Sequence, residues 1–158
     1  IDDMLLETRG LVGYKVKAFT PYTGLGYRYL KDDMSGMISS EGHFGFKRES
    51  NYLYVPLGVE IGDSWWKIKA ELDPLLKGWQ VNHLSEVPGY VDFTNKQQTG
   101  LGQKISIEFA KGNLIFRGFL NHWNIRRSET AIGNQAGTLF VEPKNTSVEI
   151  GVSLGVKF

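Results

Sequence analysis

From Val148 to Phe158 every even-numbered residue is apolar, while the residues between are Glu149, Gly151, Ser153, Gly155 and Lys157. Successive side chains of a strand point to opposite faces, so this segment carries one greasy face and one polar or small face. A membrane-spanning β-barrel produces that pattern, because lipid lies on one side of the wall and a polar lumen on the other. The segment runs from Asn145 to Phe158 and closes on an aromatic residue.

Similar alternation marks out further strands. Trp65–Trp79 places Trp66, Ile68, Ala70, Leu72 and Leu76 opposite Lys67, Lys69, Glu71, Asp73 and Lys77; Gly102–Ala110 places Ile105, Ile107 and Phe109 opposite Lys104, Ser106 and Glu108. Leu5–Lys17 sets Leu6, Val12, Tyr14 and Val16 against Glu7, Arg9, Lys15 and Lys17. Asn51–Ile61 alternates too, with Pro56 predicting a bulge because proline cannot donate to a ladder. Pro21–Lys31 and Leu114–Ile125 complete a set of seven, Arg117 and Asn121 sharing a face with Ile115, Phe119 and Trp123.

The connections alternate in length. Ala18-Phe19-Thr20, Gly62-Asp63-Ser64 and Lys111-Gly112-Asn113 predict tight turns. Asp32–Ser50, Gln80–Leu101 and Arg126–Lys144 are long and polar. Short turns at one end and long loops at the other are the habit of bacterial outer-membrane barrels. Following that phase back from a periplasmic Phe158 puts Ile1 on the extracellular side. An even strand number then predicts one more strand, either upstream of residue 1 or as a short extra strand within Ile1–Gly10. The expected fold is therefore all-β, an up-and-down antiparallel transmembrane β-barrel of eight strands, with residues 1–158 as a single domain.

Three stretches carry a family resemblance: Thr20-Pro21-Tyr22-Thr23-Gly24-Leu25-Gly26-Tyr27-Arg28-Tyr29-Leu30, the run from Arg48 to Gly58, and the run from Glu142 to Phe158. In these the chain resembles the small outer-membrane β-barrel proteins of Gram-negative bacteria, in the broad sense that includes OmpA-like and OmpX-like barrels. The resemblance spans about residue 9 to the end. It implies that the last strand is an assembly signal read by the outer-membrane insertion machinery, a role that falls on Phe158, Val156 and Leu154. It implies no catalytic residue.

Composition narrows the function classes. A net charge of +1, with no Lys/Arg-rich run, gives no reason to expect a nucleic-acid partner. The chain has no cysteine, which excludes disulfides and thiolate metal sites. No window approaches about 18 consecutive apolar residues, so no transmembrane helix is predicted. No secretory signal is visible, and the missing initial methionine reads as a processed or excised N-terminus.

On the polar faces, Glu7, Arg9, Lys67, Lys69, Glu71, Asp73, Lys104, Glu108, Arg117 and Glu149 would share one lumen, joined by Arg28 and Glu60. Unpaired charges in a narrow interior are costly, so acids and bases should interlock there and plug it rather than leave a pore. Aromatics predict two interfacial belts: Phe19, Tyr22, Trp65, Trp66 and Phe158 at the turn end, and Tyr29, Tyr52, Tyr54, Trp79 and Trp123 at the loop end.

His43, His83 and His122 stand at no metal-ligand spacing, and no metal or cofactor is expected. His122 with Ser128 and Glu129 raises a lipid A deacylase-like alternative, though no motif joins them. A soluble lipocalin-like carrier is the other alternative, with an apolar interior and a polar exterior. The leading expectation is a non-enzymatic outer-membrane surface protein. Its partners are outer-membrane lipid and lipopolysaccharide and the insertion machinery; the sequence names no extracellular ligand.

Overall fold

The computed structural model describes residues 2–132 and 139–156, and most of them lie in antiparallel strands. The strands are β1 (Asp2–Gly13), β2 (Phe19–Asp33), β3 (Lys47–Tyr54), β4 (Leu57–Gly62), β5 (Trp66–His83), β6 (Phe93–Gln97), β7 (Gly100–Lys111), β8 (Leu114–Ile125), β9 (Ala131–Ile132), β10 (Leu139–Phe140) and β11 (Asn145–Val156). The main sheet runs β1-β2-β3-β5-β7-β8-β11; β4 continues β3 between β2 and β5, and β6 pairs with β5 beyond β7. β9 and β10 pair with each other, antiparallel, in a separate two-stranded sheet.

The seven sequence-predicted strands are all present, with shifted ends. β3 and β4 are the predicted Asn51–Ile61 strand, interrupted at Val55-Pro56 as proline requires. The first turn comes earlier than its residues suggest: Phe19 and Thr20 already belong to β2, and the reversal is made by 14–18, closed by mutual Val16–Phe19 bonds. Lys17 turns that corner at φ 56°, a left-handed conformation. The Gln80–Leu101 loop is the larger correction. β5 runs on to His83, a short 3-10 turn covers Leu84–Glu86, and β6 returns along β5.

One face assignment is also corrected. Lys77 does not join Lys67, Lys69, Glu71 and Asp73. β5 carries one extra residue opposite β3, since Leu53 pairs with Lys77 but Tyr54 with Leu75. A bulge of one residue reverses the side-chain parity beyond it. Lys77 therefore shares a face with Trp79, over whose ring its ammonium lies at 5.5 Å.

The sheet is rolled. Arg28 on β2 binds Glu149 on β11, five strand steps away along the sheet. In a flat sheet, five spacings of about 4.8 Å would hold those strands about 24 Å apart. Arg9 on β1 likewise reaches Glu71 on β5 at 2.6 Å. Only strong curvature lets both pairs meet on one concave face.

Small residues on that face make room for rings. Gly26 stands opposite Tyr54, Gly58 opposite Tyr22, Gly78 opposite Tyr52, Gly102 opposite Trp123 and Gly151 opposite Phe119. In each pair the aromatic ring lies where the glycine's Cβ would project; at Gly26 that atom would fall 2.2 Å from Tyr54 Cζ. Gly26→Val is therefore expected to push Tyr54 off its site and cost about 1–3 kcal/mol, the usual penalty for overpacking. The midpoint of urea unfolding measures this. An unchanged midpoint would mean that the ring has somewhere else to go.

The buried apolar core is small: Tyr52, Tyr54, Trp123 and Ile125, backed by Leu30 and Leu75. Tyr52, Tyr54 and Trp123, and Tyr22 nearer the short turns, thus lie on the concave side and form no part of an outer aromatic belt.

Candidate functional site

The concave face is an interlocked set of charges. All ten residues predicted to share a lumen lie on it. Nearest the short turns, Glu60 on β4 takes Lys67 at 2.8 Å and Lys69 at 3.1 Å, both from β5. Lys69 also stands 3.5 Å from Glu108 on β7, whose carboxylate accepts the Arg117 Nε bond at 2.6 Å. Arg9 and Glu71 form the next pair. Above them Lys104 lies in contact with Glu7, 3.1 Å from Asp73 and 3.6 Å from Glu71.

Arg28 completes the set at mid-height. It is 2% exposed and binds Glu7 at 3.1 Å and Glu149, so one guanidinium ties together β1, β2 and β11. Its planar fork suits two carboxylates at once. The guanidinium also lies 5.4 Å from the centre of the Trp123 ring, and Lys104 stands 5.0 Å from that of Tyr54. Both rings offer cations a negative face. Tyr54 adds its hydroxyl, donating to Glu7 at 2.8 Å. Beside these groups lies a cavity of about 180 Å³, lined by Arg9, Lys69, Arg117 and Asn121 among others.

Beyond the ring layer, toward the long loops, charge gives way to buried amides. Ser50 donates to Gln80 at 3.2 Å, Gln80 to Asn82 at 3.0 Å, and Asn82 to Asn95 on β6 at 3.1 Å. Asn95 then donates to Ser128 at 3.2 Å and to the Phe140 carbonyl at 3.3 Å. This chain of bonds anchors Ser128 and Phe140 to the rolled sheet. It satisfies polar groups that burial would otherwise make expensive. The polarity of β6, which made the segment look like loop, is what the interior requires there.

On the convex face the pattern inverts. Ile150 is 79% exposed, Leu154 74% and Val152 73%, and Val12 on the opposite edge strand is 73% exposed. Leu6, Leu25, Leu57, Leu72, Ile105, Ile107, Phe116 and Leu120 are also exposed. Toward the long loops this wall becomes polar. Tyr27 donates to Asn51 at 2.6 Å, Tyr29 donates to Glu49, and His83 Nε2 meets the other Glu49 oxygen at 2.5 Å. Asp92, in the following loop, accepts the Ser85 N–H at 2.9 Å, and that bond holds its carboxyl below the ordinary range.

The remaining sequence candidates are placed as follows. His122 is on the convex face, with Nδ1 3.1 Å from Gln103 Oε1. Ser128 is buried and engaged elsewhere, donating to the Glu129 carbonyl and accepting the Glu142 N–H at 2.9 Å. The structure does not bring these two side chains together. His43 pairs loosely with Glu41 in an exposed loop, 3.7 Å apart. Among the described residues no group of three His, Asp or Glu side chains has metal-binding geometry. Val156 and Leu154 of the predicted assembly signal lie on the convex face; Phe158 is outside the described residues.

Arg28 is the one central residue whose weight the sequence understates. Alternation places it on the polar face but cannot show that Glu149, 121 residues later, folds onto it. No protein-family model matches the chain, and no curated protein does either.

Proposed function

We propose that the rolled sheet belongs to an up-and-down β-barrel of eight strands that spans the outer membrane of a Gram-negative bacterium. In this reading the protein is a non-enzymatic surface protein. The convex wall meets outer-membrane lipid and lipopolysaccharide, and the long loops face outward for surface interaction or envelope integrity. The β11 segment, through Leu154, Val156 and Phe158, carries the signal that the insertion machinery reads.

The observation that carries this is the inversion of polarity. Buried Arg28, Glu71 and Asp73 lie within, and exposed Ile150, Val152, Leu154 and Val12 lie without. Soluble monomers rarely expose an apolar patch of more than a few hundred Å². For a lipid-embedded wall the same surface is buried, and the polar interior is the usual barrel lumen. A lipocalin-like carrier needs an apolar interior, against which the charge set weighs. A lipid-modifying enzyme needs His122 beside a nucleophile, and its bond to Gln103 lends that no support.

The test is behaviour in detergent. The purified protein is expected to stay monodisperse only with detergent, and to migrate differently on gels before and after boiling, as folded barrels do. A monodisperse preparation in plain buffer would overturn the proposal.

A further inference from the structure

Among the described residues the cations of the concave face are matched to carboxylates, whereas a cluster of three at the long-loop end of the convex face is not. Arg126, Arg127 and Lys144, with Asn124, line a groove of about 490 Å³. All three cationic side chains are exposed, and none forms an ion pair among the described residues. The carboxylates closest in sequence are turned to other partners: Glu129 accepts a bond from Gln98, and Glu142 pairs with Arg48 at 3.5 Å. Three like charges are thus gathered at one groove with no internal counter-charge. Such a grouping attracts an anion, and guanidinium groups in particular match phosphate oxygens.

Register shows what lies below the groove. Descending the β8–β11 ladder, Asn124 pairs with Thr146, His122 with Val148 and Leu120 with Ile150. Strands rise about 3.4 Å per residue, so from the level of Arg126 and Lys144 to that of Leu120 and Ile150 the wall passes from cationic to polar to wholly apolar within about 20 Å. That sequence of surfaces suits a phosphorylated amphiphile and suits a soluble anion poorly.

We propose that this groove binds the phosphate groups of a lipid in the leaflet at the long-loop end, with its acyl chains lying along Leu120, Val148 and Ile150. The proposal rests on the membrane reading above and deepens it, by naming the site and the chemical group recognised.

The protein, refolded in zwitterionic detergent, is titrated by native mass spectrometry with three probes: diphosphorylated lipid A, the same lipid stripped of its phosphates, and inorganic phosphate. Diphosphorylated lipid A is expected to bind. Removing its phosphates should weaken binding at least tenfold, and so should the triple substitution Arg126→Gln, Arg127→Gln, Lys144→Gln. A control triple, Lys15→Gln, Lys17→Gln, Lys111→Gln, removes equal charge at the short-turn end and should leave binding unchanged. Equal affinity for the phosphate-free lipid, or in the groove variant, would overturn the proposal. Inorganic phosphate binding as tightly as the lipid would overturn the lipid assignment in favour of a free anion. Heat-modifiable migration is read on every sample. Its absence from the wild type strikes the barrel reading itself, whereas indifference to phosphate in a heat-modifiable wild type strikes only the groove.

Discussion

Arg28→Ala is expected to destabilise the protein by about 3–5 kcal/mol, the cost of removing one partner from a buried ion pair. The loss is large because Glu7 and Glu149 would both remain on a crowded concave face without their shared cation. Lys104 still neutralises Glu7, so the charge stranded most severely is Glu149, which keeps an Asn121 amide at 3.3 Å. The double variant Arg28→Met, Glu149→Gln should therefore recover much of the loss, since it removes the stranded charge along with the cation. Urea unfolding in micelles, followed by tryptophan emission, reads both. Equal stability of Arg28→Ala and wild type would show that the guanidinium does not hold the edge strands together.

Ile150→Arg is expected to cost about 2–4 kcal/mol of stability in a bilayer, and Val156→Arg no more than about 1 kcal/mol. Ile150 lies halfway along β11, where the proposed membrane is driest, and Val156 is at its end. The two substitutions are chemically alike, so only depth separates them. Matched unfolding from phosphatidylcholine vesicles measures the difference. Equal penalties would contradict a lipid-facing wall.

Much of the fold is legible where each face of a strand meets one environment along its whole length. β7 and β11 are of that kind: Ile105, Ile107 and Phe109, and Val148 to Val156, keep one parity throughout. Legibility fails where the environment or the parity changes within a strand. Lys77 shares the parity of Asp73 in the sequence, but the bulge against Leu53 and Tyr54 turns it outward, and that bulge depends on a neighbouring strand. β6 fails for another reason. Asn95 and Gln97 point into a polar interior, so the strand shows no hydrophobic period at all. Alternation alone sets Tyr52 and Tyr54 on the face of Glu60, and Trp123 on that of Arg117 and Asn121, which is the concave one. Grouping them by height along the strands, as members of an aromatic belt, set that parity aside. The matched Gly–aromatic pairs could be found only after strand register was known.

The most direct test of the inverted wall is the side-chain parity of β11 in a bilayer. The chain contains no cysteine, so single cysteines can be introduced without background. Bimane-labelled cysteines at Val148, Ile150, Val152 and Leu154, and at Glu149 and Ser153, would be reconstituted in vesicles with brominated lipid. Quenching is predicted to alternate with a period of two, strong at the four apolar positions and weak at Glu149 and Ser153. Quenching that followed Glu149 and Ser153, or that was absent from all six, would contradict the membrane assignment.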